Sequence, residues 1–211
     1  MTRFQYAADM AMCALWIVTY ALCFISTVKH KYPALSPVTQ LLIAPFEFSV
    51  VFRLVRIGSF RLDYISAAYT VWTLLELALV FVILKYGFRF AVKKTVPYLA
   101  LLAATTALMV WLVAYKDQMY FFSYFNTFVG ELFWFRYIFK KEYPIKALNF
   151  AAFIAKFIGD AVSVPVYIGA GTVFSRAMCV LLPVLDLSFI IAFLYKDRLN
   201  KKNTAASAAK A

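Results

Sequence analysis

Long apolar runs alternate with short polar segments along the chain, and the polar segments carry Lys, Arg, Pro and Gly. Seven apolar runs lie at 7–28, 38–55, 64–85, 96–115, 119–139, 147–168 and 177–195. At a rise of about 1.5 Å per residue, each can cross a hydrocarbon core of about 30 Å, the second and the last only just. The pattern predicts an all-α, polytopic membrane protein. We expect a single seven-transmembrane-helix bundle over residues 1–198 and a polar, disordered tail at 199–211.

Composition supports this prediction and leaves no room for a separate soluble domain. Hydrophobic residues make up 64% of the 211 residues, and charged residues make up 15%. A soluble domain averages roughly 45–50% apolar and about 25% charged residues. The first apolar run is not followed by a small-residue cleavage site. It therefore indicates a first transmembrane helix rather than a removed signal peptide.

The net charge of +12 comes mainly from basic residues between the apolar runs, which indicates cytoplasmic loops and no nucleic-acid partner. With seven crossings, the N-terminal side carries six basic residues: Arg3, Arg53, Arg56, Arg61, Lys116 and Arg176. The opposite side carries fifteen: Lys29, Lys31, Lys85, Arg89, Lys93, Lys94, Arg136, Lys140, Lys141, Lys146, Lys196, Arg198, Lys201, Lys202 and Lys210. The positive-inside rule predicts an outside or lumenal N-terminus and a cytoplasmic C-terminus.

The residues that usually bind metals are poorly placed for it in this sequence. The three cysteines, Cys13, Cys23 and Cys179, lie inside apolar runs without metal-ligand spacing, as expected of small buried hydrophobic residues. His30 is the only histidine, which excludes a site with several histidine ligands. An Asp-rich diphosphate-binding motif of the DDxxD kind is also absent from the sequence. We therefore expect neither a metal nor a cofactor.

Five carboxylates fall near the middle of the predicted spans: Glu47, Glu76, Glu131, Asp160 and Asp186. A central Asp costs roughly 2.5–3.5 kcal/mol on insertion scales, so these side chains should face partners or a wet cavity. Lys156 precedes Asp160 by four residues, which predicts a structural ion pair on one helix face. Two interpretations of Glu131 are equally good. It forms a structural bond to a tyrosine or to Arg136, or it has a role in the site.

Glu47 and Asp186 have no basic residue one turn away on their own helices. Burial without a cation favours the protonated form of a carboxyl group, which a general acid requires. Both residues lie about halfway along oppositely directed helices. We therefore expect them to share one cavity, and we place Glu76 in its wall.

Aromatic residues are dense in the same spans and form 19% of the chain. Phe46 and Phe48 flank Glu47, and other spans contain Trp72, Tyr124, Trp134 and Tyr167. Ring faces stabilise a carbocation by about 2 kcal/mol or more in a dry site. Ordinary helix packing and interfacial belts explain most of these residues equally well. The aromatic pattern therefore becomes informative only in combination with the acids.

Four short motifs, in order along nearly the whole chain, resemble a known family. The first is Pro33 in a polar loop followed by Phe46-Glu47-Phe48, and the second is Trp72–Gly87, with its Trp, acid and closing Lys-Tyr-Gly. The third is Asn126 followed by Ala151–Asp160, and the fourth is Leu185-Asp186-Leu187 with Tyr195. These motifs are similar to those of the small seven-helix integral-membrane terpene cyclases of fungal meroterpenoid and indole-diterpene biosynthesis. The chain departs from the family at Pro45-Phe46, where the family has an Asn-rich, Trp-bearing approach, and at Asp160, where it has Thr.

The resemblance implies a metal-independent cyclase that protonates an alkene or a terminal epoxide of a lipophilic prenylated substrate within membrane lipids. Glu47 and Asp186 match the family's catalytic acids. The candidate substrate-binding residues are Phe46, Phe48, Trp72, Glu76, Tyr124, Asn126, Trp134 and Tyr167. One alternative is a proton-coupled transporter or channel, although the sequence lacks an inverted repeat and glycine-broken helices. A non-catalytic membrane scaffold is the other alternative.

Overall fold

The computed structural model describes residues 3–61, 63–139, 148–168 and 172–208, which form seven α-helices and no strand. The helices are α1 (Arg3–His30), α2 (Pro37–Arg56), α3 (Tyr64–Val82), α4 (Val92–Val110), α5 (Met119–Ile138), α6 (Phe150–Tyr167) and α7 (Val173–Ala208). Two π-helical segments, Ile83–Gly87 and Trp111–Tyr115, directly follow α3 and α4. The predicted all-α fold is therefore confirmed.

Six of these helices are long and apolar enough to cross a membrane, which indicates a multi-pass membrane protein. The exception is α5. It has 20 residues but carries Asn126, Glu131 and Arg136 among its aromatic side chains. These polar groups reduce the hydropathy of α5.

Polar side chains begin several helices. The Ser36 hydroxyl accepts a hydrogen bond from the Val38 amide at 3.3 Å, and Pro37 opens α2. Asp63 accepts a bond from the Ser66 amide at 2.8 Å at the start of α3. This backbone bond lowers the pKa of Asp63. Such caps explain why these helices begin where the apolar runs begin.

Six helices form a closed ring in the order α1, α3, α2, α5, α7 and α6, since each packs against the next and α6 packs against α1. Helix α4 lies outside this ring, against α2. Two glycines allow close helix approaches. A Cβ on Gly159 would lie 3.3 Å from Leu15 Cβ, and one on Gly130 would lie 3.3 Å from Thr39 Cγ2. The ring encloses the space in which a site can form.

The ends of the chain differ from the sequence-based expectation. Helix α1 begins at Arg3 and ends at His30, so it is longer than the predicted span 7–28. Helix α7 continues to Ala208, where a disordered tail was predicted from residue 199. Alanine has the highest helix propensity, which explains how the Ala-rich end extends the last helix. The Lys140–Lys146 loop lies outside the described residues.

Candidate active site

A cavity of about 190 Å³ lies inside the helix ring and is partly open to the surroundings. Every helix of the ring contributes to its lining, whereas α4 contributes nothing. The volume is smaller than the roughly 300–1,000 Å³ of typical ligand pockets. The cavity therefore suits part of a ligand, with the remainder extending through the opening.

The cavity occupies one half of the bundle. It is lined by residues near the starts of α1 and α5, such as Asp9 and Met119, and by Tyr167 at the end of α6. Glu47 lies nine residues before the end of α2 at Arg56, which corresponds to about 14 Å along the helix axis. The cavity thus extends from the N-terminal side of the bundle towards its middle.

The wall is largely aromatic and combines rings from five helices. Tyr69 and Trp72 of α3 form an edge-to-face pair with centroids 4.9 Å apart. Trp16 and Tyr20 of α1 are 5.4 Å apart. Tyr124 of α5 meets Tyr167 of α6 at 6.5 Å, again edge to face. The structure therefore places the predicted residues Trp72, Tyr124 and Tyr167 in one wall.

Glu47 lines the cavity with only 6% of its surface exposed. Its Oε2 atom has no hydrogen-bond partner within the described residues, and none of the ion pairs there includes Glu47. Phe46 is 4% exposed and lines the same cavity, but Phe48 is 42% exposed and does not. Phe46 and Phe48 lie about 100° to either side of Glu47 around the helix axis, and only Phe46 is on the side that faces the cavity. The predicted arrangement of two flanking rings is therefore corrected to one.

Asp9 is a cavity residue that sequence reasoning missed. It is 4% exposed and accepts hydrogen bonds from the Tyr64 hydroxyl at 2.8 Å and the Tyr167 hydroxyl at 2.5 Å. These bonds connect α1 to α3 and α6. The signal in the sequence was an acid inside the first apolar run, close to its start rather than its middle.

Asp160 connects the cavity to a buried ion cluster. It lines the cavity and accepts bonds from Trp16 Nε1 at 2.9 Å and from Lys156 Nζ at 2.8 Å. The predicted ion pair between Lys156 and Asp160 is therefore confirmed. The Lys156 ammonium also lies 5.0 Å from the centre of the Trp16 ring.

The ion cluster consists of Lys156, Glu131, Asp160 and Asp186. Lys156 Nζ lies 2.6 Å from Asp186 Oδ1 and also pairs with Glu131. The cation that pairs with Glu131 is therefore Lys156 of α6. The sequence had suggested a tyrosine or Arg136 of the same helix as the partner of Glu131. Asp186 also has this cation and does not line the Glu47 cavity. The expectation that the two acids share one cavity is therefore corrected.

Three carboxylates of the cluster form the arrangement that a hard cation would use. Single oxygens of Glu131, Asp160 and Asp186 lie within 4.8 Å of one another. The Lys156 ammonium bonds to all three carboxylates. A lysine ammonium therefore already supplies the positive charge that a metal ion would bring to this position.

The remaining predicted site residues do not line the large cavity. Glu76 is fully buried beside Tyr20 and Gln40, and Asn126 donates to Met109 Sδ at 3.7 Å. Trp134 donates to the Ala34 carbonyl at 2.9 Å and lines a separate cavity of about 20 Å³. The prediction that Glu76 lies in the cavity wall is therefore corrected, and Asn126 and Trp134 have packing partners instead.

Comparisons with known proteins add no relative to this description. No protein-family model matches the chain, and neither the curated proteins nor the solved structures contain a match.

Proposed function

We propose that this protein is an integral-membrane terpene cyclase that starts carbocation cyclisation by donating a proton to a lipophilic prenylated substrate. The proton acceptor is an alkene or a terminal epoxide. Glu47 donates the proton, and the final cation loses a C–H proton to a carboxylate of the cavity. The reaction is then a net isomerisation, and it uses no reductant or oxidant.

The environment of Glu47 is the observation that carries this proposal. The carboxyl group is buried in an aromatic cavity, and within the described residues no ion pair involves it. Burial without a counter-ion disfavours the charged form of a carboxyl group, so it stays available as a proton donor. A substrate that fills the cavity and its opening would exclude the water that otherwise traps a carbocation.

The size of the cavity fits the reacting end of a prenyl chain better than the whole molecule. A volume of about 190 Å³ is below the roughly 300–1,000 Å³ of pockets that hold drug-sized ligands. The remaining chain and the head group would extend through the opening. Trp72, Tyr69 and Phe46 offer rings to the cationic carbon atoms.

In this proposal Asp186 has a positioning role and does not donate the proton. It holds Lys156 at 2.6 Å, and Lys156 in turn holds Asp160 at the cavity wall at 2.8 Å. A change at Asp186 would act on the cavity through these two bonds. Protonation of the substrate is assigned to Glu47 alone.

We further propose that all seven helices cross the membrane, with the N-terminus outside or in the lumen and the C-terminus in the cytoplasm. Helix α5 belongs to the ring between α2 and α7, and its polar residues Asn126 and Glu131 are buried among neighbouring helices. Single cysteines at 115–118 should react with an impermeant thiol reagent added outside, and those at 140–146 should not. The reverse labelling pattern would invert the orientation.

A turnover assay tests the activity. Purified protein in dodecyl maltoside, with EDTA present, should convert terminally epoxidised farnesyl or geranylgeranyl phenols into cyclic isomers of unchanged mass. The Glu47→Gln protein provides the matched blank. If neither the epoxides nor the parent alkenes are cyclised by a folded preparation, the proposal is wrong.

One observation favours a proton-coupled transporter as a second candidate. Asp160 belongs both to the cavity and to the Lys156 cluster, so protonatable groups extend from the cavity into the bundle. Such a series is typical of proton relays in membranes. Reconstituted vesicles with a pH gradient distinguish the candidates, because a transporter dissipates the gradient and a cyclase does not.

A further inference from the structure

Asp9 is a buried carboxylate that has hydroxyl partners and no counter-ion among the described residues. The hydroxyls of Tyr64 and Tyr167 donate to it at 2.8 and 2.5 Å, one to each carboxylate oxygen. An ionised carboxylate offers about four acceptor positions, so about two stay available. Hydroxyl groups satisfy hydrogen bonds, but unlike Lys or Arg they bring no positive charge.

The cavity around Asp9 has the lining that organic cations prefer. Eight aromatic side chains line it, and no Lys or Arg lines it among the described residues, although Lys156 approaches Trp16 and Asp160 from the ion cluster. Tyr69, Trp72 and Tyr167 belong to this wall. Ring faces attract alkylammonium groups through the negative face of their π-systems. The wall therefore provides a low-polarity surface that is selective for positive charge.

A second, separate observation indicates a ligand in this cavity. Glu47 is more than nine-tenths buried, faces the cavity, and has an Oε2 atom without a hydrogen-bond partner among the described residues. Asp160 lines the same space. The polar lining thus includes three carboxyl groups, and the volume of about 190 Å³ suits a small head group.

We propose that this cavity binds an organic ammonium cation, with the charged nitrogen near the Asp9 carboxylate and its alkyl substituents against the aromatic wall. The inference does not depend on cyclisation, because it requires only charge and shape. The ligand is either a small free ammonium compound or the head group of a choline lipid.

Titration calorimetry in dodecyl maltoside tests the proposal with a matched pair of probes. Choline and 3,3-dimethylbutan-1-ol have the same shape and differ by a positive nitrogen in place of carbon. Choline should bind at least ten-fold more tightly to the wild-type protein. Equal binding of the two probes, or binding of neither, would overturn the proposal.

Two variants test whether Asp9 causes the preference for choline over 3,3-dimethylbutan-1-ol. Asp9→Asn keeps the shape and a hydrogen-bond acceptor, and it should reduce the preference for choline to about two-fold or less. Asp117→Asn makes the same change at an exposed carboxylate whose side chain is 76% accessible, and it should leave the preference unchanged. If Asp9→Asn retains the ten-fold preference, the assignment to Asp9 is wrong.

A measurement on the wild-type protein does not depend on the folding of a variant. Cys13 lies one turn after Asp9 and lines the cavity, whereas Cys23 does not. Choline should slow the modification of Cys13 by a methanethiosulfonate at least three-fold and leave Cys23 unaffected, as read by peptide mass spectrometry. Protection by 3,3-dimethylbutan-1-ol that equals protection by choline would contradict the proposal.

A third ligand identifies the source of the cation. Monomeric dihexanoyl phosphatidylcholine should displace choline if a lipid head group is the natural ligand, and dihexanoyl phosphatidylglycerol should not. Displacement by neither lipid would support a small free cation. Displacement by both would show that the alkyl chains compete without the ammonium group, and this would overturn the proposal.

Discussion

Two groups of buried carboxylates lie inside the same helix ring, but their surroundings differ. In the ion cluster, Lys156 bonds to Glu131, Asp160 and Asp186. In the cavity, Glu47 and Asp9 have no cation among the described residues and face aromatic rings instead. A carboxylate next to a lysine is held in place, whereas one in a cavity without a cation is available to a ligand or a proton.

The two regions meet at one residue, Asp160. Its carboxylate accepts a bond from Lys156 in the ion cluster at 2.8 Å and also lines the cavity. The ion cluster joins α5, α6 and α7, whereas all six helices of the ring line the cavity. The structural and chemical regions are therefore adjacent, and Asp160 belongs to both.

The largest expected effect is on activity, at Glu47. Glu47→Gln should reduce cyclisation by roughly 10²–10⁴-fold, the usual contribution of a general acid. Folded yield should stay near normal, because Gln has the size of a protonated Glu. Rate and size-exclusion yield are measured together. Asp117→Asn, at an exposed carboxylate that does not line the cavity, is the control, and equal losses in both variants would refute the special role of Glu47.

The next largest effect should be on stability, at Lys156. Lys156→Met leaves three buried carboxylates without a cation, and such a loss costs about 3–5 kcal/mol. The variant should aggregate or melt well below the parent in a detergent thermal-shift assay. Lys156→Arg keeps the charge and should recover part of the stability. A stable Lys156→Met protein would show that the cluster does not support the fold.

A smaller effect is expected at Asp160, which belongs to both regions. Asp160→Asn removes the charge beside Lys156 and weakens the bond from Trp16, at a cost of about 1–3 kcal/mol. Asp186 and Glu131 remain to balance Lys156, so folded protein should still be recovered. If the Glu47→Gln protein misfolds while the Asp160→Asn protein folds, Glu47 has the structural role and Asp160 has the chemical role.

The smallest effects should separate the two faces of α2. Phe46→Leu should change the rate or the product pattern several-fold, because Phe46 lines the cavity. Phe48→Leu should change neither, because that ring is 42% exposed on the outside of the helix. Product profiles by mass spectrometry compare the two. A larger effect at Phe48 than at Phe46 would place the reacting chain on the other face.

The sequence predicted well those features that depend on one helix at a time. The apolar runs gave the helical class, and a spacing of four residues gave the bond between Lys156 and Asp160, later observed at 2.8 Å. The sequence also identified Trp72, Tyr124 and Tyr167, which meet in one wall. Each of these inferences uses only the length, the periodicity or the composition of a single segment.

The predictions that failed depended on which helices are neighbours in the folded protein. Asp186 had no cation on its own helix, yet Lys156 approaches it from α6. Asp9 lay near the start of its apolar run, yet Tyr64 and Tyr167 bring it into the cavity from two other helices. Periodicity along one helix carries no information about the ring order that creates these contacts.

The sequence by itself therefore determined that the chain is helical, apolar enough for a membrane, and rich in acids within its apolar runs. Only the tertiary structure decided which acids share Lys156 and which face the cavity. The physical reason is that the charge of a carboxyl group depends on atoms within a few ångströms, and packing brings those atoms from helices distant in the chain.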